Sequence, residues 1–338
     1  MCGQAGRPPG TAEPEDTDVH IRRERIAALL LALLTLLGLT ACANREQAAD
    51  PQPPAQTSGT AAAFPVEVSV PGGHSLRIER RPERIVSLNP ASTEILYAVG
   101  AGEQVVAVDD QSNYPENAPR TDLSNLSPNI EAIVGYQPDL VLASNDTNNL
   151  VASLNAVQVP VLLLPAAKNL DETYAQILTV GKATGHLQQA EEVVERMRTE
   201  IDRIVAATPK PSRELRYYHE LDPTLYSATS STFIGQVYGL FGLTNIADAA
   251  DTTGSGYPQL SAEHVINANP DLIFLADSKC CQQNAETVAA RPGWSSIAAV
   301  RNGHVVALDD DIASRWGPRV VDLVRAISQA VTAAGEHA

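Results

Sequence analysis

"LSPNIEAIVGYQPDLVLA" runs from Leu126 to Ala143, and "QLSAEHVINANPDLIFLA" runs from Gln259 to Ala276. With Glu131 set against Glu263, Pro138-Asp139-Leu140 falls on Pro270-Asp271-Leu272, and the apolar positions between them keep step. Each stretch reads as a short helix ended by a proline, then an apolar run without alternation. Such a run fits a strand buried on both faces, as in a parallel sheet. In the first copy Ser127 can cap the helix, Pro128 suits its first position and Glu131 favours its first turn. The echo extends upstream, where "YAVGAGEQVVAVDD" (from Tyr97) parallels "YGLFGLTNIADAAD" (from Tyr238). One chain therefore carries the middle of an α/β lobe twice.

The surrounding sequence completes each lobe. "RIVSL", from Arg84 to Leu88, is a buried strand that breaks at Asn89-Pro90. Ser92 is the expected N-cap of the helix that follows, with Glu94 near the positive end of its dipole. "PVLLL", from Pro160, is another apolar strand, and the alternation of strands with helices argues βαβ units. Between the copies lies "LQQAEEVVERMRTEIDRIVAA", Leu187 to Ala207, free of Gly and Pro. Its apolar residues (Ala190, Val193, Val194, Met197, Ile201, Ile204, Val205) form one stripe, and Pro209 and Pro211 end it. Such a helix spans about 30 Å. The expected fold class is α/β, with two three-layer α/β lobes joined by a single long α-helix. The N-terminal lobe takes residues 65–187, the helix 188–208 and the C-terminal lobe 209–338. Two like lobes leave a cleft, and ligands favour such interfaces.

Composition narrows the role. The 338 residues carry a net charge of −16, which is the wrong sign for a nucleic-acid partner. Arg22, Arg23 and Arg25 precede an apolar run from Ile26 to Leu39, and small residues lead into Cys42. That is the pattern of a secretory signal over residues 1–41. The alternative is a transmembrane anchor, for which the run is short. Both place the body outside the cytoplasm. Residues 42–64 are rich in Ala, Gln, Pro, Ser, Thr and Gly and read as a disordered tether. Cys280 and Cys281 are adjacent, and an exported location favours a disulfide between them over two free thiols. No GxSxG, HExxH or phosphate-loop pattern is present, and the seven His are scattered. No catalysis, no cofactor and no resident metal site are expected. Tyr217-Tyr218-His219 raises haem, because Tyr and His serve as axial ligands. Strand alternation points Tyr218 one way and Tyr217 and His219 the other.

Four stretches carry a family resemblance. They are "RIVSLNPASTEILYAVGAGEQVVAVDDQSNYPENA", "NIEAIVGYQPDLVLA", "YPQLSAEHVINANPDLIFLA" and "GWSSIAAVRNGHVVALDDDIASRWGPRVVDLVRAI". They resemble the periplasmic binding proteins of ABC importers for ferric siderophores, haem and cobalamin. The resemblance covers nearly all of residues 65–335. It implies a monomeric receptor that holds its ligand between the lobes and hands it to an ABC permease in the cytoplasmic membrane. The approach to Cys42 resembles a bacterial lipobox, which implies a lipid on Cys42 and attachment to the membrane. The expected ligand is an iron chelate, a ferric siderophore or ferric citrate type, with haem or a corrinoid as the alternative. A scaffold lipoprotein without a transport role is the alternative from another class. The cleft residues implied are Asn89, Ser92, Ser112, Tyr114, Ser144 and Asn145 from the N-lobe. Those from the C-lobe are Glu220, Tyr257, Asp310, Arg315 and Trp316. Arg315 would offer a planar fork to an anionic chelate. Permease docking falls on Glu263 in the C-lobe. Asn148 stands at the matching N-lobe position, so Asp146 or Glu131 would substitute there.

Overall fold

Two separate four-stranded sheets form the frame, and each repeats the same winding. The computed structural model describes residues 64–69 and 75–335. The signal segment, Cys42, nearly all of the tether and residues 70–74 lie outside the described residues. A short antiparallel pair, β1 (Val66–Val68) and β2 (Leu76–Ile78), opens the described chain. The N-lobe sheet contains β3 (Ile85–Leu88), β4 (Val105–Val108), β5 (Leu140–Ala143) and β6 (Val161–Leu163), in the order β4-β3-β5-β6. The C-lobe sheet contains β7 (Arg216–Glu220), β8 (Thr244–Asn245), β9 (Leu272–Leu275) and β10 (Val305–Ala307), in the order β10-β9-β7-β8. All pairings in both sheets are parallel. Taken in chain order, each sheet runs second, first, third, fourth. The two sequence copies supply the third strand of each.

The shared Pro-Asp-Leu has a structural cause. In the N-lobe the Asp139 carboxylate accepts hydrogen bonds from the Glu83 and Arg84 amides at 2.9 Å each, and its own amide donates to Arg84 O. In the C-lobe Asp271 accepts from the Arg216 amide at 2.9 Å and donates to Arg216 O. Each aspartate thus pins the start of the third strand to the start of the first. A one-residue slip would turn every side chain to the other face, so this contact fixes register.

The apolar runs are buried on both sides, as their lack of alternation implies. In β9, Leu272 and Phe274 join one core, while Ile273 and Leu275 join another. In the N-lobe, Val86, Leu88 and Val141 form a private core with Ile133 and Leu154. The remaining core is common to both lobes and is threaded by the long helix. That helix spans Leu187–Ala207 and buries Ala190, Val193, Val194, Met197, Ile201 and Ile204. It packs on the Leu170–Thr184 helix before it and on the final helix, Val320–Gly335. Gly181 allows the first approach, because a Cβ there would collide with Ala190 Cβ and His186 O. Gly185, at φ +80°, makes the left-handed turn between the two helices.

Two caps differ from expectation. Asn89, not Ser92, caps the Pro90–Ala98 helix, accepting the Ser92 amide at 3.0 Å. Pro90 takes the first helical position, where a missing N–H costs nothing. In the first repeat Asn129 rather than Ser127 caps Ile130–Gly135, while Ser261 caps Ala262–Ala268 in the second.

Candidate ligand cleft

Parallel sheets present their loops at the carboxyl ends of the strands, and ligands of open α/β sheets bind outside those ends. Here the loops of the two lobes meet around a cavity of about 640 Å³. The N-lobe contributes Pro90 after β3 and Gln111, Asn113 and Leu126 after β4. The C-lobe contributes Ala276, Lys279 and Cys280 after β9 and Asp310, Asp311 and Arg315 after β10. Leu126 is 83% exposed, an apolar side chain at the edge of the cavity.

The walls are held by charge pairs that cross from lobe to lobe. Arg315 donates to Glu94 Oε1 at 3.0 Å, Asn113 Oδ1 at 2.9 Å, Gln111 O at 3.0 Å and Asp311 Oδ1 at 2.6 Å. Arg319, four residues on, donates to both Glu94 oxygens at 3.0 and 2.6 Å and lies over the Tyr114 ring. Glu94 is 1% exposed at its side chain and belongs to the first N-lobe helix. Gly317 lets the C-lobe loop settle on that helix, since a Cβ there would stand 3.2 Å from Glu94 Oε2. Asn113 Nδ2 closes the ring by donating to Asp311 Oδ2 at 2.9 Å. Lys279 pairs with Asp309 at 2.6 Å and Asp311 at 3.3 Å. Asp310 accepts from the Lys279 and Cys280 amides and from Ser278 Oγ. Burial pushes the Asp310 carboxyl up, but those donors outweigh it and hold it below its ordinary range.

Several expected ligand residues are buried or bonded within the protein. Glu220 is fully buried and receives Arg291 at 2.5 and 2.6 Å, so it is corrected from a cleft residue to a core ion pair. Its position on a strand inside an aromatic core is the reason, because a carboxylate there needs its own cation. Ser112 is buried and bonded to Thr93 Oγ1 at 2.9 Å. Asn89 and Ser92 are buried at the helix start. Ser144 and Asn145 bond to each other at 3.2 Å, and Trp316 packs against the common core. Tyr114 and Tyr257 are about half exposed, at 45% and 48%. Cys280 and Cys281 stand as thiols with Sγ atoms 2.7 Å apart, side by side as the expected bond requires. Burial pushes the Cys280 thiol up to about 12, which keeps it protonated.

Tyr217, Tyr218 and His219 are buried, as alternation directs: Tyr217 stacks on Tyr238, His219 Nδ1 meets Tyr238 Oη at 2.9 Å, and Tyr218 faces Trp294. Burial pushes His219 down to about 4, so it is neutral and enclosed. None of the three reaches the cavity as a haem ligand. Glu263, Asp146 and Glu131 are exposed, with Glu263 in the first turn of its helix. Asp146 accepts the Val151 amide. Sequence reasoning missed Gln111, Asn113, Lys279 and Asp311, which look like ordinary loop polars. It also missed Arg319, which stands in the connection before the final helix, with Gly317 and Pro318 between it and Arg315, where no local pattern marks it.

Among the described residues no helix is long and apolar enough to cross a membrane, and no group of three or more His, Cys, Asp or Glu could hold a metal ion. Comparison with known proteins adds the family. The periplasmic binding protein model matches residues 85–312, more than half of the chain. An uncharacterized ABC transporter substrate-binding lipoprotein of Bacillus subtilis is 31% identical, over 90% of this chain and 95% of that one. A cobalamin-binding protein of Halobacterium salinarum is 33% identical, over 89% and 83%. Among solved structures, a possible iron-binding periplasmic solute-binding protein of Staphylococcus epidermidis superposes with a TM-score of 0.64 at 28% identity, covering 75% of this chain and 99% of that one.

Proposed function

The chain belongs to the periplasmic binding protein family, and from that premise we propose that it captures a corrinoid between its lobes and delivers it to an ABC permease. It is a binding receptor of an importer, not an enzyme. One observation carries the ligand site: a single cavity is walled by strand-end loops of both lobes. A corrinoid comes first because a relative matched over most of both chains is named for cobalamin. The polar groups of the walls are paired among themselves over a lining that is mostly apolar, which suits an uncharged ligand. Arg315 is fully engaged, which weakens the expectation of a ferric citrate type. The second reading, an uncharged ferric siderophore, rests on the likeness to the iron-binding neighbour.

The same proposal places the protein outside the cytoplasm, tethered by a lipid on Cys42, as a monomer. Glu263 and Asp146 supply the carboxylates that meet the permease. Isothermal titration with cyanocobalamin, haemin, a neutral ferric hydroxamate and ferric citrate tests the ligand. Cyanocobalamin should bind most tightly. If ferric citrate binds best, or if none of the four binds, the ligand assignment is wrong. Loss of the protein from the membrane fraction on Cys42→Ala tests the tether.

A further inference from the structure

The cavity wall carries two cations, Lys279 and Arg315, with Arg319 beside them on Glu94, and all three are paired. Arg315, Arg319 and Lys279 pair with three carboxylates, those of Glu94, Asp309 and Asp311. The arrangement is lopsided across the lobes. The N-lobe supplies one carboxylate, Glu94, and it takes both arginines. The C-lobe supplies Asp311, which takes Arg315 and Lys279. We infer that Glu94 and Asp311 are the charge-selecting residues of the cleft: they neutralise Arg315 from both lobes, Glu94 neutralises Arg319 as well, and together they exclude anionic chelates and admit neutral or cationic ones. This rests on the ligand cleft assigned above and names the charge class of its ligand.

The physics is that of a guanidinium already satisfied. An anionic ligand gains from Arg315 only by displacing a carboxylate it is already bonded to, at 2.6 or 3.0 Å. Both carboxylates are covalently fixed beside the arginine, so the exchange is unfavourable. The ligand would also meet Asp310 on the same wall. A neutral ligand requires no such exchange and leaves the Arg315–Asp311–Asn113 ring intact. Because Glu94 sits on the N-lobe and both arginines on the C-lobe, the same contact that sets the charge also holds the walls together.

The test is titration calorimetry of the purified full chain in detergent, with ferric citrate as the anionic probe and cyanocobalamin as the neutral one. Glu94→Gln and Asp311→Asn should each raise ferric citrate affinity over wild type by about tenfold or more at low ionic strength, and the gain should shrink in high salt. The double variant Glu94→Gln with Arg319→Gln removes a cation as well, and should return ferric citrate affinity towards the wild-type value. No gain in a folded Glu94→Gln, or a gain that persists in the double variant, overturns the inference. If Glu94→Gln does not fold, Asp311→Asn at the partly exposed side of the cluster decides alone, and no gain there overturns it. The comparison is between variant and wild type for one anion, so it stands whether or not cyanocobalamin binds. A wild type that ignores cyanocobalamin defeats the corrinoid assignment only.

Discussion

At the carboxyl end of its first strand the N-lobe has Leu88, and the C-lobe has Glu220. The two positions are equivalent, since Leu88 pairs with Ala143 of β5 and Glu220 with Leu275 of β9. Two residues beyond those partners stand Asn145, exposed, and Asp277, fully buried. The N-lobe therefore closes its central strands with apolar packing and a solvated amide. The C-lobe closes them with two buried carboxylates and one arginine, Arg291, stacked over Trp294. Its sheet is also the aromatic one, with Tyr217, Tyr238 and Phe274 in contact on one face and Tyr218 against Trp294 on the other. Topology survived duplication unchanged, while the chemistry at the strand ends diverged. That divergence lies directly behind the loop that carries Lys279 and Cys280 to the cavity, through the Asp277 carbonyl that receives the Cys281 and Gln283 amides.

The comparison breaks most visibly at the buried pair. Arg291→Met leaves Glu220 uncompensated in the core and should cost about 3–5 kcal/mol in urea unfolding. Glu220→Leu with Arg291→Met gives the C-lobe the N-lobe's apolar solution and should recover most of that loss. If the double variant is as unstable as the single one, the two lobe ends are not interchangeable. Next come the strand pins. Asp139→Ala and Asp271→Ala each leave strand-start amides without their acceptor and should cost about 0.5–1.5 kcal/mol, alike in the two lobes. Arg213→Ala should cost under about 1 kcal/mol, because that partner of Asp271 is half exposed while the amide contact remains.

A pH series sharpens the contrast between Asn145 and Asp277. Burial, reinforced by neighbouring Glu220, pushes the Asp277 carboxyl up to about 7 from an ordinary value of 3.8. A raised folded value means that the native state binds the proton more tightly than the unfolded state does. The associated stability is present below about pH 4 and is lost as pH rises through about 7. Asp277→Asn copies the N-lobe residue and removes this dependence. Its stability relative to wild type should climb between about pH 4 and 7 and level off above, as read from paired unfolding curves. A flat difference would show that the carboxyl titrates normally. The smallest effect belongs to the repeated helix starts. Glu263→Ala and Glu131→Ala should each change stability by about 0.3–1 kcal/mol through the helix dipole. Uptake by cells should fall for Glu263→Ala, while ligand affinity of the purified protein stays as in wild type.

Much of the frame was legible in the residues. Pro-Asp-Leu announced the duplicated strand because the aspartate has the same hydrogen-bonding task in both lobes. The long helix showed itself through a stripe uninterrupted by Gly or Pro. The cleft was less legible. Glu94 reads as a helix-dipole residue, yet it is the anion that two arginines from the other lobe share. Glu220 reads as a strand-end polar group, yet its arginine lies far along the chain. Which loops meet across a cleft depends on how the lobes pack, and local sequence carries no sign of that. Cap choice failed for a simpler reason: Asn89 and Ser92 are both good caps, and Pro90 decides between them.

Hydrogen exchange of the full chain with and without saturating cyanocobalamin tests the two-walled site most directly. Slowed exchange should fall on residues 110–126 of the N-lobe together with residues 276–281 and 310–315 of the C-lobe. Protection confined to one lobe, or protection elsewhere with these loops unchanged, would contradict a ligand held between them.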